Sequence, residues 1–143
     1  MYYVDSNIFI YSALYDSLKI EKARSSVSLL KHMANGRIRA CTSTLTWDEV
    51  VWVVQRVFDV ETAGRQGRML LELPNLTTIS VDRSILSGAQ DLVERYGLKP
   101  RACIHASSAQ KAGAAGFISY DSDFDGVKEI NRVPPDVAIS NIS

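Results

Sequence analysis

Apolar and polar positions fall in blocks along the chain, and the blocks differ in period. Tyr2-Tyr3-Val4 is a short apolar run that stops at Asp5, and a second run, Ile8-Phe9-Ile10-Tyr11, follows Ser6 and Asn7. This pattern predicts a buried strand turning into a helix from Ile8 to Tyr15. Ser6 or Asn7 would cap it, because a short polar side chain accepts from a free backbone N–H. From Leu18 to Asn35, Ile20, Ala23, Val27, Leu30 and Met33 recur at spacings of three and four, which predicts an amphipathic helix stopped at Asn35-Gly36. Ile38 to Thr42 reads as a strand. Leu45 to Phe58 reads as a helix, although the β-branched run Val50 to Val54 also fits a strand, and it is so apolar on every side that it is expected to be central and buried, with Trp47 and Trp52 in the core and not serving as base-stacking platforms. Further helices are expected from Glu61 to Leu73, from Asp82 or Ser84 to Tyr96, and from Arg101 to Ala115. Leu76 to Val81, Phe117 to Tyr120 and Val137 to Ile139 complete the expected strands.

Strands and helices therefore alternate. That order predicts an α/β fold whose central parallel sheet of four or five short strands is covered by helices on both faces. No repeat or linker divides the 143 residues, so one domain spanning 1–143 is expected. Sixteen basic residues balance sixteen acidic ones, so only a local patch could attract nucleic acid. Two cysteines make no disulfide framework, and no signal peptide precedes the first strand. No apolar run approaches the roughly 20 residues that span a bilayer. The expectation is a soluble cytoplasmic protein with no membrane partner.

The acids change the picture more than the composition does. Two expected strands end alike, Tyr3-Val4 into Asp5 and Ile118-Ser119-Tyr120 into Asp121 and Asp123. In a parallel sheet both ends share one edge, where open α/β sheets bind ligands. Carboxylates gathered there repel one another unless a cation neutralises them, and hard oxygen ligands favour Mg²⁺ or Mn²⁺. Asp5 could equally be a helix cap. Asp121, Asp123, Asp125 and Gly126 sit at calcium-loop spacing, but the loop's twelfth position is Arg132 where a Glu is required. Glu49, one turn into an apolar helix, needs a partner or the dipole of the helix N-terminus.

Val4-Asp5-Ser6-Asn7-Ile8-Phe9-Ile10-Tyr11, Glu49, Lys99-Pro100-Arg101-Ala102-Cys103-Ile104-His105-Ala106 and Ser119-Tyr120-Asp121-Ser122-Asp123-Phe124-Asp125 recur in the order and spacing of a PIN domain. In this the chain resembles the VapC toxins of toxin–antitoxin pairs. The resemblance implies a three-layer α/β/α sandwich and an endoribonuclease dependent on Mg²⁺ or Mn²⁺. An RNA substrate, an antitoxin partner and a homodimer are implied with it. Carried over by position, Asp5, Glu49 and Asp121 are the catalytic acids, and Asp5, Asp121 and Asp123 the metal ligands. Ser119 is the supporting hydroxyl. Arg101, with Lys99, is expected to touch RNA phosphate, as could Arg37, Arg39, Arg65 and Arg68. The family usually has an acid directly after this Arg, where the chain has Ala102, so a weaker or single metal site is expected. His105 is expected to be structural, packed on the sheet with its ring near backbone groups. The rival reading is a PIN scaffold with a decayed site that serves as an RNA- or protein-binding module.

Overall fold

The period-two alternation of the first run sets the architecture. In the computed structural model, which describes residues 1–142, Tyr2–Val4 forms strand β1. Tyr3 and Val4 are both fully buried, on opposite faces of the sheet. Four further strands are β2 (Ala40–Ser43), β3 (Leu76–Ile79), β4 (Gly116–Ile118) and β5 (Arg132–Val133). All pairings are parallel, in the order β3-β2-β1-β4-β5. The helices are α1 (Ser6–Leu14), α2 (Glu21–Ala34), α3 (Thr44–Val57), α4 (Val60–Glu72), α5 (Arg83–Tyr96), α6 (Pro100–Lys111) and α7 (Pro135–Ser140).

The sheet separates two cores. Val4, Ile8, Phe9, Leu29, Met33, Val50 and Val54 fill one, beneath α1 to α4 and α7. Tyr3, Leu92, Cys103, Ala106, Phe117 and Phe124 fill the other, beneath α5 and α6. The Ala- and Ser-rich face of α6 lets that helix approach closely, and Tyr3 stacks on Phe117 with ring centroids 5.1 Å apart. This is the expected α/β/α sandwich.

Three expectations are corrected. Asp5, not Ser6 or Asn7, caps α1: its side chain accepts from the Ser6 N–H. The last strand is Arg132–Val133, and Val137 to Ile139 lies inside α7, where Pro135 occupies the first helical turn. Helix α3 is not central: Trp47 is 43% exposed and Trp52 50%, so only the Thr46, Val50 and Val54 stripe is buried. Hydropathy alone could not show that few elements pack on its outer side.

Candidate active site

The sheet order places a topological switch point between β1 and β4. From β1 the chain moves outward through β2 to β3 on one side, while β4 and β5 lie on the other. The crevice beyond the strand ends at such a point is where open α/β sheets bind ligands. Asp5 follows β1 and Ser119 follows β4, and the Asp5 N–H donates to the Ile118 carbonyl at 3.0 Å.

Asp5 is buried, and each of its carboxylate oxygens accepts one hydrogen bond. Oδ1 accepts from the Ser6 N–H at 2.8 Å, and Oδ2 accepts from the Ser119 hydroxyl at 2.6 Å. Ser119 Oγ in turn accepts from Asn7 Nδ2 and from the Asp121 N–H, both at 3.0 Å. With both lone pairs taken, the hydroxyl has one proton to give, and it goes to Asp5. One serine thus ties the first strand end to the last. Asp121 and Asp123 follow on an exposed 3₁₀ turn at 122–126, where Asp121 Oδ1 accepts from the Asp123 N–H. Asp125 pairs through both carboxylate oxygens with Arg132, so this turn is a salt-bridged corner and not a calcium loop.

His105, on α6, is closer to the acids than expected. Its Nε2 lies 2.5 Å from Glu49 Oε1 and 3.7 Å from Asp5 Oδ1. Its Nδ1 is 2.7 Å from the Tyr3 hydroxyl. The ring therefore contacts side chains from β1 and α3 rather than backbone groups, and the bond to a carboxylate puts the proton on Nε2. Burial disfavours its charged form. The hydrogen bond to Glu49 and the charges of Asp5 and Glu49 outweigh that, so the imidazole titrates above its ordinary value. Burial pushes the Asp5 carboxyl up, beyond what His105, Ser119 and Ser6 offset. Glu49 thus has the partner its apolar surroundings required. Nothing in one sequence pairs positions 49 and 105; the only signal was a buried-type Glu and a buried-type His, each without a local partner.

A PIN domain family model matches residues 2–130. The chain belongs to the PIN domain family. Solved structures share the fold. A chain of the VapBC2 complex from Rickettsia felis, bound to promoter DNA, superposes with a TM-score of 0.71 over 93% of this chain and 97% of that one, at 17% identity. VapC20 from Mycobacterium tuberculosis, a sarcin-ricin loop cleaving toxin, gives 0.71 over 90% and 95%, at 12% identity. A toxin–antitoxin complex from Klebsiella pneumoniae gives 0.68 over 94% and 98%, at 20% identity. No curated protein matches the chain in sequence.

Within this PIN domain, Arg101 is exposed and shares a small cleft with Glu49, whereas Arg37 and Arg39 precede β2 and so lie at the opposite edge of the sheet. Arg65 is paired with Glu61 along α4. Ala102 is half-buried, one helical turn before His105. Among the described residues, no three His, Cys, Asp or Glu side chains are grouped closely enough to hold a metal ion. The hard-oxygen donors on either side of Ser119, Asp5 and Asp121, nevertheless suit one hydrated divalent ion. Such an ion keeps several waters and needs only one or two carboxylates. The donor set fits that arrangement and does not fit a closed protein cage. No helix among the described residues is long and apolar enough to cross a membrane.

Proposed function

We propose that this PIN domain is a Mg²⁺- or Mn²⁺-dependent endoribonuclease, the toxin member of a toxin–antitoxin pair. The observation that carries the proposal is the buried Asp5 carboxylate at the switch point, held between Ser119 and His105–Glu49. Asp5, Asp121 and Asp123 would hold the ion. When bound, it would polarise a phosphoryl oxygen and lower the pKa of a bound water. Ser119 and Ser6 orient Asp5, while Asn7 and the Asp121 N–H orient Ser119. His105 holds Glu49 Oε1, and Oε2, with no partner among the described residues, is left to orient or deprotonate the attacking water. Arg101 meets a flanking phosphate. Hydrolysis by water on this plan leaves a 5′-phosphate and a 3′-hydroxyl.

Two features support the protein partners. The similar structures include toxin–antitoxin complexes. A groove of about 310 Å³, lined by Phe9, Val27, Leu30, Met69, Leu70 and Leu73, offers an apolar seat for an antitoxin segment. A homodimer is proposed from the family resemblance alone.

Ala102 favours a second reading, a PIN scaffold whose site has decayed and which binds RNA or protein without cleaving. Incubating single-stranded RNA with Mn²⁺, beside a calorimetric Mn²⁺ titration, separates the two. The nuclease reading expects 5′-phosphorylated fragments that EDTA suppresses. Neither cleavage nor binding at millimolar Mn²⁺ would leave the decayed scaffold.

A further inference from the structure

Two tryptophans are exposed on α3, and the structure explains only one of them. The Trp47 indole packs on α4 beside Gly67: a Cβ at that glycine would meet Trp47 Nε1 at 2.9 Å. Among the described residues, no glycine makes such a seat for Trp52. Trp52 is 50% exposed and lines a cleft of about 110 Å³ with Ile10, Asp48, Glu49, Val53 and Arg101. Arg56, one turn further along, rests its guanidinium over the ring at 4.6 Å.

Three properties of the cleft decide what it takes. It is far smaller than the roughly 300–1,000 Å³ of a pocket for a whole small molecule, so it suits one ring inserted from a longer chain. Its floor includes Glu49, the acid hydrogen-bonded to His105, so whatever enters lies beside the candidate active site. Its rim carries Asp48 and Arg101, both exposed and both without a hydrogen-bond or ion-pair partner among the described residues. A polymer with an anionic backbone and flat rings bearing N–H donors matches all three. The ring stacks on Trp52, an exocyclic amino group donates to Asp48, and the backbone phosphate meets Arg101.

We infer that the Trp52 cleft seats a single nucleobase of single-stranded RNA next to the scissile phosphate, with Trp52 as the stacking surface. This rests on the ribonuclease reading and deepens it by assigning a residue to substrate recognition. It also separates base recognition from the candidate catalytic acids: Trp52 and Asp48 hold the base, and Asp5 and Glu49 face the phosphate.

Fluorescence anisotropy in EDTA tests it without cleavage. The probes are a fluorescein-labelled short oligocytidylate and a ribose-phosphate oligomer of the same length with no bases. Trp52→Ala is expected to weaken oligocytidylate binding by roughly ten-fold or more. The abasic oligomer should bind as it does to the parent protein, and Trp52→Phe should recover most of the lost affinity. Unchanged oligocytidylate binding in Trp52→Ala overturns the proposal, as does an equal loss on both probes. A change of oligomeric state on a sizing column with RNA affinity intact would assign Trp52 to a protein interface and also overturn it. If the parent protein binds neither probe, the subsite fails, and cleavage of RNA with Mn²⁺ decides the ribonuclease reading separately. Parent binding with Trp52→Ala unaffected sinks the subsite alone.

Discussion

Asp5 is buried at the switch point, and burial makes its ionised form costly. An amide there removes the charge and keeps the helix cap through its one oxygen, but its NH₂ cannot accept from the Ser119 hydroxyl, whose own lone pairs are already taken. Asp5→Asn is therefore expected to abolish RNA cleavage, with the lost Ser119 bond offsetting the relief of the buried charge, so that the melting temperature stays within a few degrees of the parent's; a scan in EDTA beside a cleavage assay checks both. Ala102 lies on the same helix as His105 and one turn before it, so the two share a face. Ala102→Asp would add a hard oxygen donor there. The expected result is Mn²⁺ affinity raised on the order of ten-fold, read by calorimetry. Unchanged affinity would show that position 102 does not face the ion. At this scale the sequence was partly legible. Asp5, Ser119 and Asp121 stand at strand ends, which periodicity locates. The pairing of His105 with Glu49 was hidden, because it joins helices 56 residues apart and leaves no spacing to read.

Helix α6 carries His105 to the acids, so its seat on α5 matters. A Cβ at Gly88 of α5 would lie 2.5 Å from Ser107 Oγ, which donates to the Ile85 carbonyl at 2.8 Å. Gly88→Ala must displace that hydroxyl and is expected to cost about 1–3 kcal/mol. Thermal unfolding should register it, and adding Ser107→Ala should return part of the loss because the clashing oxygen is gone. A double variant no more stable than Gly88→Ala would place the strain elsewhere. The elements themselves were legible where a period persisted or a cap was present: α2, α4 and α5 lie within a few residues of their expected limits. Two residues of strand at Arg132–Val133 are too few to show a period. The β-branched Val137 and Ile139 imitated a strand that Pro135 turns into a helix. The all-apolar α3 was expected in the core, and its outer side instead lines the Trp52 cleft.

Across the molecule, neutral net charge gave no hint of a partner, and the fold gathers the informative charges at one sheet edge. Asp5 and His105 both hold protons more tightly folded than unfolded. The stabilisation from His105 is full below its ordinary value of 6.5 and is lost as pH rises through its raised folded value. The contribution of Asp5 has the same sign, full below 3.8 and lost as pH rises through its raised folded value. Asp59, Asp82, Asp125 and Glu129 are shifted downward and act only in acid. In EDTA the urea midpoint is therefore expected to fall as pH rises above about 6.5. The fall should be smaller in His105→Asn, and a flat profile in the parent protein would contradict the shift. Alternating strands and helices made the parallel sheet legible. The strand order that creates the switch point was not, because it depends on which edges pair in three dimensions.

The central claim is that the cluster around Asp5 hydrolyses RNA. Cleavage of single-stranded RNA with Mn²⁺, by the parent protein and by Asp5→Asn under conditions where both are folded, tests it most directly. Fragments are expected from the parent and none above background from the variant. Equal cleavage by the two would contradict it.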